Sequence, residues 1–253
     1  MKSIIVKNLA IGKGMPKICA PIVGKTKEDI LNAAERICET PADLVEWRAD
    51  WFDEVFDLEA VQRVLTTLKD VLESRPLLFT FRTKKEGGEK EITFEQYQNL
   101  LVEVSKMHLA DMMDVEVYFG ENVPNLISAL KKNGMVVVGS NHDFTNTPGK
   151  DEIIRRLTYM KNIGADLPKI AVMPNEQKDV NTLLTATKET VNILNTPVIT
   201  MSMGEMGEIS RTSGEIYGSA ITFGAVGQVS APGQINVFSL KEILEKVHRE
   251  KAE

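Results

Sequence analysis

The sequence alternates, eight times over, between a short apolar run of strand length and a longer stretch whose apolar residues recur at helical spacing. Runs at residues 17–23, 43–48, 77–82, 111–117, 135–141, within 164–174, at 196–203 and at 219–223 read as strands. Between them, Thr26 with Asp29 and Thr93 with Gln96 carry the capping-box pattern that opens a helix. Another helix starts near Asp57 and must end before Pro76, and residues 124–132 and 150–162 continue the series. Residues 179–194 read as helical in one or two pieces, 208–217 as a short helix, and Ser239 with Glu242 as the cap of a last one. A hairpin at residues 3–6 and 9–13, turning at Lys7-Asn8, precedes the series and is expected to cap one end of the fold. Alternation of this kind predicts an α/β architecture with a parallel sheet wrapped by helices. Eight units favour closure into a (β/α)8 TIM barrel, with residues 1–253 as a single domain. No GxGxxG follows the first strand, which lowers the open dinucleotide-binding alternative.

Composition narrows the function classes. A formal charge of -6 without a basic cluster argues against nucleic acid as a partner. The first ten residues lack the apolar core of a signal peptide, and no run approaches the length of a membrane span, so a cytoplasmic protein without a membrane partner is expected. Two cysteines, Cys19 and Cys38, are too few for a disulfide framework and read as small reduced core residues.

The run around Lys169 places a lone amine inside a strand that should be covered on both faces. Strand alternation puts Lys169, Ala171 and Met173 on one face and Ile170 and Val172 on the other. A buried ammonium must either find a carboxylate or lose its proton, so two readings stand: a structural ion pair, or a nucleophile. In a barrel the catalytic groups gather at the carboxyl ends of the strands. There the sequence offers Glu46 and Arg48, Arg82, Asp114 and Glu116, then His142 after the fifth strand. A histidine here could shuttle protons or merely tie down its loop. Metal ligation is the weaker reading, since no HxH, HExxH or cysteine pair accompanies these acids. Glu86-Gly87-Gly88-Glu89 reads as a flexible acidic turn, and Arg211 with the stretch Ser230 to Gln234 could hold a carboxylate. Lysine, histidine and arginines together suit Schiff-base chemistry on a small anionic ketone, because an iminium acidifies the carbon beside it.

These motifs resemble those of the type I 3-dehydroquinate dehydratases. The resemblance is carried by Val45-Glu46-Trp47-Arg48, Phe79-Thr80-Phe81-Arg82-Thr83 with Glu86-Gly87-Gly88-Glu89, Asn141-His142-Asp143-Phe144, Pro168-Lys169-Ile170-Ala171-Val172-Met173-Pro174 and Met201-Ser202-Met203-Gly204. Ser219-Ala220 through Gly224 and Ser230-Ala231-Pro232-Gly233-Gln234 complete the set, in family order over nearly the whole chain. The resemblance implies dehydration of 3-dehydroquinate to 3-dehydroshikimate in the shikimate pathway. Lys169 would form the imine, and His142 would take a proton from C2 and return one to the departing C1 hydroxyl, with Glu86 orienting it. Arg211, Ser230 and Gln234 would hold the substrate carboxylate, Glu46, Arg48 and Arg82 the ring hydroxyls, and Met203 and Phe223 would line the pocket. No metal or organic cofactor is implied, and a homodimer is. Burial beside Arg48, Arg82 and a charged His142 would favour the neutral amine that imine formation needs.

Two rival readings carry the same residues. One is another Schiff-base barrel, a lyase or aldolase cleaving a carbon-carbon bond; the other is a non-catalytic barrel that binds a carboxylate, with Lys169 as a charge partner. The stretch 227–233 is glycine-bounded and could close over a substrate.

Overall fold

Ile4–Val6 (β1) and Leu9–Ile11 (β2) pair antiparallel across the Lys7-Asn8 turn, where Lys7 takes the left-handed conformation at φ 49. The structure is a computed structural model and describes residues 2–227, 231 and 233–252. Eight strands follow: Lys17–Ile22 (β3), Leu44–Arg48 (β4), Leu77–Thr80 (β5), Met112–Glu116 (β6), Val136–Asp143 (β7), Leu167–Val172 (β8), Ile199–Ser202 (β9) and Ile221–Ala225 (β10). Each is parallel to its neighbours in the order β10-β3-β4-β5-β6-β7-β8-β9. A two-residue strand, Ile235–Asn236 (β11), lies beside β10.

The seam between β9 and β10 is stitched largely by one side chain. A single bridge joins Val198 to Ser219, and the Ala220 N–H reaches the Val198 carbonyl at 2.8 Å. The Ser219 hydroxyl accepts from the Thr200 N–H at 3.0 Å and donates to the Thr200 carbonyl at 3.1 Å. The expected strand at 219–223 therefore begins later, at Ile221, because Ser219 is committed to the seam.

Helices surround the ring: Lys27–Cys38 (α1), Leu58–Leu72 (α2), Phe94–Lys106 (α3), Val123–Lys132 (α4), Lys150–Asn162 (α5), Gln177–Leu194 (α6), Glu208–Thr212 (α7), Gly214–Tyr217 (α8) and Val237–Ala252 (α9). Both capping boxes form as the sequence requires, at Thr26 with Asp29 and at Thr93 with Gln96, and Asp57 caps α2. One open choice is settled and two helix boundaries differ from expectation. α6 is one continuous helix, its Thr187 hydroxyl bonding back to the Leu183 carbonyl instead of breaking the turn. The stretch 208–217 is two short helices parted at Ser213. The last helix starts before Ser239, because the Asn236 side chain already receives the Phe238 N–H at 2.9 Å.

The inner face of the barrel is graded from end to end. Reading every second residue, β4 gives Leu44, Glu46, Arg48; β6 gives Met112, Asp114, Glu116; β7 gives Val138, Ser140, His142; β8 gives Leu167, Lys169, Ala171. The apolar first positions pack together with Val6 and Ile11, so β1 and β2 close the amino end. The outward set, including Val45, Trp47, Phe79, Val115, Ile170 and Val172, packs against the helices. Lys169 and Ala171 therefore share the inner face, as alternation predicts. Charge is left to the carboxyl end. Among the described residues no helix is long and apolar enough to cross a membrane.

Candidate active site

Lys169 occupies the middle of β8, beside Ser140 of β7 and Ile199 of β9, and is 3% exposed. Its Nζ lies 3.6 Å from Oδ2 of Asp114, 3.9 Å from Oε1 of Glu46 and 4.5 Å above the centre of the Phe223 ring. Both a carboxylate partner and nearby cations were expected for this amine, and the structure brings two carboxylates within 4 Å of it.

Those carboxylates belong to a buried ion network. Arg82 donates from Nη2 to Asp114 Oδ1 at 2.9 Å and from Nη1 to Glu116 Oε1 at 2.9 Å and to the Ser140 hydroxyl at 3.1 Å. Glu116 also receives the Thr83 N–H and hydroxyl. Burial opposes the Asp114 carboxylate, but Arg82, then Lys169 and Ser140, outweigh it and hold its pKa below the ordinary value. Arg48 binds Asp50 bidentately, Nε to Oδ1 and Nη2 to Oδ2 both at 2.8 Å, and Glu46 accepts the Thr80 hydroxyl at 2.9 Å. Asp50 was not visible as a partner from sequence. It lies in a one-turn 3-10 helix after β4, which swings it under Arg48, where it also receives the Arg82 and Glu89 N–H groups.

His142 is part of β7, which runs two residues further than expected because it pairs with β8 through Ala171 and Val172. Glu86 reaches it from the loop after β5. Oε2 accepts the His142 backbone N–H at 3.0 Å and stands 2.9 Å from ring Nδ1, while Oε1 accepts the Asn141 side-chain amide at 3.1 Å. Burial, then Arg82, Lys169 and Arg48, push the His142 pKa well below that of a free imidazole. Burial, then Glu116, raise Glu86 to about 8, against the pull of Arg82 and Asn141. When Glu86 is ionised it can only accept, so Nδ1 must carry the ring proton and Nε2 is the basic nitrogen.

The Glu86 loop is a hydrogen-bonded turn, not the flexible segment its composition suggested. The Gly88 N–H reaches the Thr83 carbonyl at 2.8 Å, and Thr83 bridges Lys90. A β-carbon on Gly88 would collide with the Arg82 carbonyl; Gly87, at φ 84, leaves the space that the Phe144 ring fills, and that ring stacks on His142.

A cavity of about 130 Å³, the scale of a small molecule, opens at this end. Lys169, His142, Glu86, Glu46, Arg48 and Arg82 line it together with Met203, Arg211, Phe223 and Gln234. Arg211 is supplied by α7 and is buried, which lowers its pKa to about 10 against a partial counter-effect from Glu208. Ser230 lies outside the described residues, as do 228, 229 and 232 of the expected lid. Ala231 lines the cavity beside Gln234. Among the described residues no cluster of three or more histidine, cysteine or acidic groups is arranged to hold a metal.

An arrangement of a buried amine, an imidazole oriented by a carboxyl, and arginines around one small cavity can form an imine and move a proton beside it. The model of the type I 3-dehydroquinase family matches residues 18–251. A 3-dehydroquinate dehydratase of Clostridium botulinum is 50% identical over 251 residues, covering 98% of this chain and 99% of that one. The crystal structure of the type I 3-dehydroquinate dehydratase of Clostridium difficile with covalently modified comenic acid superposes with a TM-score of 0.95 at 47% identity, covering 98% of this chain and 99% of the other. That of a 3-dehydroquinate dehydratase from Geobacillus kaustophilus gives 0.96 at 36% identity, over 98% and 97% of the two chains.

Proposed function

The chain belongs to the type I 3-dehydroquinase family, and on that premise we propose that Lys169 supplies the imine nitrogen and His142 moves the protons. The activity is that of a 3-dehydroquinate dehydratase, a hydro-lyase of the shikimate pathway to aromatic amino acids that works through a Schiff base. In the proposed sequence the Lys169 amine adds to the C3 ketone of 3-dehydroquinate and water leaves, giving the iminium. His142 Nε2 takes a proton from C2, and the electron pair moves toward the iminium nitrogen as an enamine. The pair then returns to expel the C1 hydroxyl, which leaves as water with the proton His142 now carries. Hydrolysis of the imine releases 3-dehydroshikimate and restores the amine.

Arg211 and Gln234 hold the substrate carboxylate in this reading, with Ser230 assigned to the same task from sequence alone. Glu46, Arg48 and Arg82 meet the ring hydroxyls with whatever donors and acceptors their protein partners leave, and Met203 and Phe223 form the apolar wall. The observation that carries the reading is that Lys169 and His142, on the adjacent strands β8 and β7, line one cavity with the buried Arg211. Reduction with borohydride in the presence of 3-dehydroquinate should leave a permanent mass increase on Lys169, located by peptide mapping. A label elsewhere, or none, defeats the assignment.

A cytoplasmic homodimer completes the proposal. Both cysteines are free, and Ile209, Ile216 and Phe238 expose large apolar side chains on α7, α8 and α9. Sedimentation at micromolar concentration should return twice the mass of the chain.

A further inference from the structure

Glu86 is gripped from two sides, and only one of them is the histidine. His142 occupies Oε2, whereas Oε1 receives the Asn141 side-chain amide. Asn141 sits between the inward-facing Ser140 and His142 and extends toward α5, where its Oδ1 accepts Nη1 of Arg156 at 3.0 Å. Arg156 is itself fixed, Nε on Glu152 Oε1 at 2.7 Å and the guanidinium 5.9 Å from the centre of the Tyr118 ring.

An asparagine amide is nearly symmetric in shape, so its neighbours decide which end faces which. A guanidinium can only donate. It therefore takes the oxygen and leaves the NH2 for Glu86, which as a carboxylate can only accept.

We propose that Arg156, outside the barrel wall, is a positioning residue for His142: it fixes the Asn141 amide so that its NH2 favours the carboxylate form of Glu86, the form that keeps the histidine proton on Nδ1. The inference rests on the roles given above to His142 and Lys169. Glu86 faces Arg82 at the end of β5, Glu116 and Asp114 on β6, and His142 on β7; His142 also faces Arg48 and Lys169. Arg156 faces Glu152 of its own helix, Tyr118 and Asp143. Of the groups around Glu86, the two acids favour its protonated form, while Arg82 and Asn141 oppose them. Loosening Asn141 therefore lets Glu86 keep its proton to higher pH, which turns the imidazole to the wrong tautomer for a base.

The test is the substitution Arg156→Met, which keeps an unbranched apolar stem and removes the donors. Imine trapping with 3-dehydroquinate and borohydride should be unchanged, KM should stay within about twofold, and kcat should fall about tenfold, the effect of loosening one hydrogen bond to a charged group. The rising limb of kcat/KM against pH should move upward, and Arg156→Lys should bring both back toward the parent. In an Asn141→Ala background, Arg156→Met should add no further loss. An equal loss in both backgrounds, or a pH profile that superimposes on the parent, overturns the relay. Absence of trapping at Lys169 in the parent enzyme would instead mark failure of the underlying assignment.

Discussion

Nζ of Lys169 stands 3.6 Å from Oδ2 of Asp114, an oxygen that takes no hydrogen bond among the described residues. The other oxygen of Asp114 is tied to Arg82 and Ser140. One carboxylate thus joins the Lys169 amine to the ion network, and a positive nitrogen at that place, ammonium or the proposed iminium, meets a fixed negative oxygen.

Lys169→Ala should abolish the reductively trapped adduct altogether. His142→Ala should still trap 3-dehydroquinate on Lys169 yet lose turnover by roughly 10²–10⁴-fold, the usual worth of a general acid or base. Intact mass and steady-state rates on the same preparations separate the two roles. A histidine variant with normal turnover sinks the assignment.

The pH dependence has a defined sign. With Glu86 raised to about 8, the free enzyme carries a neutral carboxyl below that pH and a carboxylate above it, and only the carboxylate holds Nδ1 protonated with Nε2 basic. The value of kcat/KM should therefore rise with pH through about 8. In Glu86→Gln the limb belonging to that carboxyl should be missing. Profiles measured at constant ionic strength decide it.

Arg82→Met should unfold more easily by about 3–5 kcal/mol, since it strands the buried carboxylate of Glu116 and leaves Asp114 with Lys169 alone as a nearby cation. Urea denaturation reads this directly. A loss under 1 kcal/mol would mean that the two acids find protons or other partners cheaply.

Gly87→Ala tests the coupling between the Glu86 turn and the loop after β7. The left-handed backbone alone should cost about 1–2 kcal/mol, and the new methyl would strike the Phe144 ring that stacks on His142. Turnover should fall more than stability accounts for. Activity equal to the parent at temperatures where both are folded would show that Phe144 moves aside without consequence.

Alternation made much of this site legible before any coordinates. Leu44, Glu46 and Arg48, or Leu167, Lys169 and Ala171, read in steps of two, already state which end of the barrel is greasy and which is charged. Partners were not legible in the same way. Arg48 invites pairing with Glu46 on its own strand, but a 3-10 turn after β4 delivers Asp50 instead. Asn141 and Arg156 are fifteen residues apart and meet only because α5 folds back over β7. Ser239 and Glu242 have the spacing of a capping box and lie inside a helix that Asn236 had already begun. Local patterns set faces and periods; which acid meets which base depends on turns whose geometry no spacing rule encodes.

The hairpin of β1 and β2 is more than a lid on an apolar core. With Val6 and Ile11 stoppering the amino end, traffic between solvent and the Lys169 amine is routed over the opposite rim. In the proposed cycle, condensation sheds one water, elimination sheds another, and hydrolysis takes one back, so the same doorway that admits the ring must also vent and readmit solvent behind it. In that cycle a covalent leash on Lys169 would let those small molecules come and go while the half-converted ring stays moored.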